Sequence, residues 1–298
     1  MKYRPKYILE YAALVLLADL IRILPLRAAL AMAWLAAAVT HFIARINVNR
    51  SRERVRAVLG ADVPEKQVRR IIWVAWRNLF FNAIDALRFT SLTPKKIRKQ
   101  PIARLEPVLK KALAECDAGF ILATPHMGNW EIAGIAGDLM GLPLFVIVKK
   151  QRNPLIDAYI NKMRRSFSLE VLYRDAKGWK GVIDRLKQGK VLAVLPDIGV
   201  RARGVTVDYL NGKATIAPGA AHFALLANCP VYPIVVRRAG WTRHDAVLLD
   251  PIVPNPSAEK KEEQQRIMQE IMSAMSKEIL KTPEQYFWYN KRWVLDPK

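Results

Sequence analysis

Two apolar stretches open the chain, residues 8–24 and 26–46, rich in Ala and Leu and separated by Pro25. Their composition favours helix, and proline ends the first of them. Glu10, Asp19 and Arg22 do not share one helical face, so the first helix is only weakly amphipathic. A membrane span needs roughly 20 apolar residues. Lys2, Arg4 and Lys6 precede the pair, and Arg45, Arg50, Arg52, Arg54 and Arg56 follow it. By the positive-inside tendency both ends then lie on the cytoplasmic side. The pattern predicts a membrane-anchoring helical segment over residues 1–46, dipped into one leaflet or lying on it, with a second unit over residues 47–298. A helical layer packed on a soluble core is the alternative. No small-residue cleavage site with a polar continuation follows, which is unlike a cleaved signal peptide.

Residues 64–90 carry Val68, Ile71, Ile72, Ala75, Leu79 and Ile84 at helical spacing and predict a long amphipathic helix. From about Gly119 the pattern changes. Short apolar runs at 120–124, 144–148, 171–173, 191–195, 231–236 and 246–249 alternate with helical stretches at 130–140, 155–166, 179–187 and 219–227. Such alternation predicts an α/β domain with a mostly parallel central sheet flanked by helices. A last helix is predicted over 257–280, with Ile267, Ile271, Met275 and Ile279 on one face.

Charge narrows the partners. The 298 residues hold 48 basic and 26 acidic side chains, a net charge of +22. That excess favours anionic partners: phospholipid headgroups, phosphorylated lipids, nucleic acid or an acidic carrier protein. A nucleic-acid partner would leave the apolar N-terminus unexplained, and no nucleic-acid motif is recognised. Cys116 and Cys229 are the only cysteines and read as buried thiols in a reducing compartment.

Candidate chemistry concentrates at Ala123-Thr-Pro-His-Met-Gly-Asn-Trp-Glu131, which follows the first strand of the alternating region. Sites in parallel sheets form at the carboxyl ends of strands. His126 falls at such an end, Gly128 allows a tight turn, and a helix starts near Asn129. A hydroxyl needs a positioned base to act as a nucleophile near neutral pH. A carboxylate on the other ring nitrogen would fix the tautomer, and Glu131 is placed to supply it. Standing alone, H-x4-E is more often a loop histidine beside a helix cap, since chance matches to so short a pattern are common. No third ligand for a metal is visible nearby.

The motif does not stand alone. His126-Met-Gly-Asn-Trp-Glu131 resembles the H-x-G-N-W-E signature of the lipid A late acyltransferases, a branch of the lysophospholipid acyltransferase superfamily. Lys150-Gln-Arg-Asn-Pro-Leu-Ile-Asp157 with Arg164, Leu195-Pro-Asp197 with Gly204 to Gly212, and Pro283-Glu-Gln-Tyr-Phe-Trp-Tyr-Asn-Lys-Arg-Trp293 are similar to later motifs of that family, in the same order. Two stretches depart from it: Ile198-Gly199 follows Pro-Asp where Gln is usual, and Tyr209-Leu-Asn-Gly212 replaces Phe-Phe-Gly. These bear on substrate identity more than on reaction type.

The resemblance implies a membrane-bound O-acyltransferase in which residues 47–298 form the catalytic domain. The acyl chain would pass from acyl carrier protein or coenzyme A to a hydroxyl of a phosphorylated lipid A precursor, at the cytoplasmic side of the inner membrane and without a metal or resident cofactor. A mannosylated phosphoinositide or a lysolipid is the rival acceptor, and a non-catalytic basic membrane-surface protein the rival of another class. The implied catalytic residues are His126, Glu131, Arg164 (oxyanion) and Asp197. Asn129, Lys150, Arg152, Asn153, Arg165, Arg201 and Arg203 are expected to bind substrate. The aromatic tail from Tyr286 to Trp293 suits either a membrane interface or closure of the domain by packing.

Overall fold

The computed structural model describes residues 3–174, 176–200, 204–290 and 293–295, with the side chains of residues 165 and 176–178 undescribed. The first two helices, α1 (Pro5–Ile23) and α2 (Leu26–Ala38), meet at Leu24, whose extended backbone is what a residue before proline adopts. A π-helical turn, Val39–Ile43, prolongs α2. Ile21, Ala29, Leu30 and Ala33 of this pair bury against Phe81 and Ile84. The outer faces stay bare: Leu16 is 72% exposed, Ile23 82% and Ile43 77%. Both helices are therefore apolar on two sides, which accounts for their weak amphipathicity. By length and composition Leu26–Ile43 is apolar enough to cross a membrane, with mean hydropathy 1.6.

After a left-handed turn at Arg45 and Asn47 come α3 (Val48–Leu59) and the predicted long helix, α4 (Glu65–Leu87). Phe81 and Ile84 lie on α4, so the core beneath α1 and α2 is shared across the boundary drawn at residue 46. Two short helices, α5 (Pro94–Ile97) and α6 (Glu106–Ala114), lead into the sheet region.

There the order is β1 (Ile121–Ala123), α7 (Trp130–Leu139), β2 (Leu144–Val148), α8 (Pro154–Arg165), β3 (Glu170–Tyr173), α9 (Ala176–Lys187) and β4 (Val191–Val194). A hairpin, β5 (Val205–Tyr209) and β6 (Gly212–Ile216), precedes α10 (Gly219–Ala227). The chain then forms β7 (Val231–Ala239), β8 (Arg243–Leu248) and α11 (Lys260–Lys281). Six strands form one sheet in the order β3-β2-β4-β1-β7-β8, parallel except for β8.

Alternate residues of the central strands serve opposite faces, as the two-residue period requires. Ile121, Ala123, Phe145 and Leu192 point to the core shared with α9, α10 and α11. Phe120, Leu122, Leu144 and Val191 point to the core beneath α6 and α7. The apolar face expected of α11 is fully buried at Ile267, Ile271, Met275 and Ile279.

The β5–β6 hairpin and α3 were not predicted. The hairpin turns on Leu210 and Asn211, both at positive φ (47° and 61°). Leucine there gives no turn signal of the kind glycine would.

Candidate active site

Strands β1 and β4 are parallel neighbours, so their carboxyl ends sit side by side. The first delivers His126 and the second Asp197. One carboxylate oxygen of Asp197 accepts the backbone N–H of His126 at 2.8 Å, and the other lies 2.7 Å from the ring Nδ1. A carboxylate is acceptor-only, so the ring carries its proton on Nδ1 and leaves the Nε2 lone pair for the cavity that the ring lines. Burial favours the neutral imidazole. The charge and hydrogen bond of Asp197, joined by the charge of Glu131, outweigh it and hold the His126 pKa above its ordinary 6.5. Behind Asp197 lie the buried phenols of Tyr209 and Tyr286, whose pKa values are raised by burial first and by the Asp197 charge among the lesser causes.

The sequence expectation that Glu131 holds the ring is corrected by this geometry. Glu131 occupies the first turn of α7, where a carboxylate suits the helix dipole, and its exposed side chain lines the cavity. It reaches His126 through charge alone, because Nδ1 is taken by a strand neighbour 71 residues away.

The loop bearing His126 is pinned from three directions. Phe287 N–H donates to the His126 carbonyl at 2.9 Å, and Gly128 N–H donates to the Gln285 carbonyl at 2.8 Å. Asn82 of α4 donates to the Gly128 carbonyl at 2.6 Å. The aromatic tail thus closes the domain by packing: Tyr286, Trp288, Tyr289 and Trp293 are all buried. Phe287 leans on Trp130, whose ring meets His126 edge-on at 5.0 Å. Gly128 has φ +58°, and a Cβ there would lie 2.1 Å from the Val236 carbonyl oxygen. Gly128→Ala is expected to lower the melting temperature by roughly 5–10 °C, measured by circular dichroism, because backbone must move to admit the methyl.

Asn129 is not free to grip a substrate. Its Oδ1 caps α7 by accepting from Ile132 N–H at 3.1 Å, and its Nδ2 donates to buried Asp85 at 2.9 Å. Asn153 is likewise committed. It caps α8 through Leu155 N–H and donates to the Tyr7 carbonyl and Glu10 of α1. Both were expected at the substrate, but their short amides meet stronger demands from helix termini. Arg152 is exposed and outside the His126 cavity, and Lys150 borders a separate cavity of about 580 Å³. Arg201, Arg203 and the Arg165 side chain lie outside the described residues.

The His126 cavity has a volume of about 650 Å³. Leu105, Leu109, Met140 and Leu142 make one wall, and Thr124, Glu131, Lys149, Arg164 and Arg174 supply polar groups. Arg164 is therefore where the sequence placed it, while Arg174 carried no sequence signal beyond a basic residue after a strand. No group of three or more His, Cys, Asp or Glu able to hold a metal occurs among the described residues.

An apolar slot of a size to take a hydrocarbon, beside a histidine poised to activate a hydroxyl, is suited to acyl transfer to a lipid. Known proteins agree: residues 3–294 match the family of bacterial lipid A biosynthesis acyltransferases, and the chain belongs to that family. Over 181 residues it is 26% identical to the lipid A biosynthesis acyltransferase of Haemophilus influenzae (strain ATCC 51907 / DSM 11121 / KW20 / Rd), covering 60% of this chain and 55% of that protein. The solved structure of the 1-acyl-sn-glycerophosphate acyltransferase from Thermotoga maritima matches with TM-score 0.37 and 17% identity, over 72% of this chain and 98% of that one.

Proposed function

We propose that the protein moves a fatty acyl chain from an acyl thioester, acyl carrier protein being the favoured donor over coenzyme A, to a hydroxyl on a hydroxyacyl chain of a phosphorylated lipid A precursor. The carrying observation is the His126–Asp197 pair opening on an apolar cavity with a cationic rim. His126 Nε2 removes the hydroxyl proton as the oxygen attacks the thioester carbonyl carbon. The C–O bond forms and the carbonyl becomes an oxyanion, which the Arg164 guanidinium stabilises. Collapse breaks the C–S bond, and the departing thiolate takes the proton back from the imidazolium. Asp197 orients the ring throughout. Glu131 adds a second negative charge that favours the imidazolium formed midway. Lys149 and Arg174 on the rim suit the phosphates of the acceptor.

The bare apolar faces of α1 and α2, with the cations around them, support a place on the inner membrane with the cavity on its cytoplasmic side. Co-sedimentation with anionic phospholipid vesicles tests that part.

The test of the chemistry offers acyl carrier protein and coenzyme A thioesters with a phosphorylated lipid A precursor in detergent, and reads products by mass. Transfer by the wild type is expected, with a fall of about 10²–10⁴-fold in His126→Ala. Equal transfer by that variant would remove the proposed base.

A further inference from the structure

The cavity at His126 is lined from both faces of the sheet. Leu109, Met140 and Leu142, which belong to the core beneath α6 and α7, line it. So do Ala220 and Phe223, which belong to the core on the opposite face. The space therefore passes over the carboxyl rim of the strands, where Leu195 and Pro196 line it, with His126 between two arms. The arms differ. The first is closed: Leu109, Met140 and Leu142 are at most 4% exposed. The second opens outward, with Trp179 40% exposed and its ring tilted against Phe223 at a centroid distance of 5.2 Å. There is open space at Gly219, where an added Cβ would meet the two rings only at ordinary contact distance, 3.9 and 4.0 Å, and a larger side chain would project into the arm.

We propose that the open arm, walled by Trp179, Phe223 and Gly219, is a second hydrocarbon subsite, and that it holds the acceptor's chain beyond the hydroxyl that is acylated. The inference rests on the acyl-transfer reading above. A donor chain tethered at one end can thread into the closed arm and leave its thioester at His126. An acceptor whose hydroxyl lies within a hydrocarbon chain brings further carbons past the reacting oxygen, and these need an apolar place of their own. That acceptor is also tied to a headgroup, so only an arm open at its far end admits it sideways. Lys149 and Arg174 lie on the cavity rim where an anionic headgroup would be held.

The test compares two acceptors, one with about ten carbons beyond the hydroxyl and one with about two, so that the long one buries roughly eight more methylenes. Gly219→Leu, which fills the arm, and Trp179→Ala, which removes an exposed wall, are measured beside the wild type. Both variants are expected to lower the ratio of kcat/KM for the long over the short acceptor by about tenfold, with the preference for donor chain length unmoved. A shift in donor-chain preference with that ratio unmoved would assign the arm to the donor and overturn the proposal. No change in either quantity would show an unused arm and overturn it too. Failure of the wild type to acylate either acceptor would instead remove the parent reading, and the subsite with it.

Discussion

Asp197→Asn is expected to lower kcat/KM by about three orders of magnitude and to move the acid limb of the pH profile to lower pH. The carboxylate now serves two N–H donors of one residue, the backbone and Nδ1 of His126. Asparagine has the same shape but one acceptor oxygen, so one donor must face its NH₂ group. If the ring yields, Nδ1 becomes the acceptor, the proton moves to Nε2, and the cavity side loses its base. The sign of the pH effect follows from the raised His126 pKa. The base must be neutral, so the wild-type rate climbs with pH through a value above 6.5. Removing the Asp197 charge lowers that pKa, and the climb then comes earlier and reaches a lower plateau. Glu131→Gln shifts the limb in the same direction by less, since Glu131 acts through space, and its rate loss is expected nearer ten- to a hundredfold. A severe loss in Glu131→Gln beside a mild one in Asp197→Asn would return the ring to Glu131.

That contrast shows where the sequence stops being legible. Local spacing put His126 in a turn with Glu131 beside it, and both positions are as expected. What spacing cannot convey is that β4 enters the sheet between β2 and β1, and so brings Asp197 against the ring from another part of the chain. Strand and helix periods were readable because each sheet face and each buried helix face imposes its own repeat. Leu144–Val148 and Gly219–Ala227 fall within the bounds that those repeats predict. The polar residues around the motif were less readable, because asparagine at a helix start and asparagine at a substrate look alike in one dimension. Asn129 and Asn153 both proved to be caps. The tail was ambiguous for a similar reason: its aromatics suit lipid or protein, and only pairing with the His126 loop decides between them.

Helix α4 supplies the other large effect. Its apolar spacing was visible, but Asn78, Asn82 and Asp85 form a second, polar stripe at intervals of four and three residues, aimed at the catalytic loop. Asn78 lies 3.5 Å from Gln285, Asn82 bonds the Gly128 carbonyl and Arg238, and Asp85 bonds Asn129 and Arg238 with His244 at 3.4 Å. Asp85, Arg238 and His244 are all buried. Burial lowers the His244 pKa and keeps that ring neutral, so the cluster balances one carboxylate against one guanidinium. Asp85→Ala is expected to destabilise the fold by about 3–5 kcal/mol in chemical unfolding, since it strands a buried Arg238 without its counter-charge. Activity should fall with it, because Asn129 loses the partner that steadies the first turn of α7. Asp85→Asn, which keeps the bulk and loses the charge, should be destabilised nearly as much if charge balance is the cause. It should be close to wild type if shape is the cause. Burial raises the Asp85 pKa, but His244 and the Arg238 guanidinium beside it together hold it below its ordinary value. Its contribution is therefore complete above the unfolded carboxylate range, near pH 4, and is lost as pH falls through the depressed folded value. The stability gap between wild type and Asp85→Ala should stay constant from about pH 7 to 8, where His244 is neutral in both proteins, and be lost in strong acid. A gap that closed near neutral pH would mean that Asp85 is not the ionised partner of Arg238.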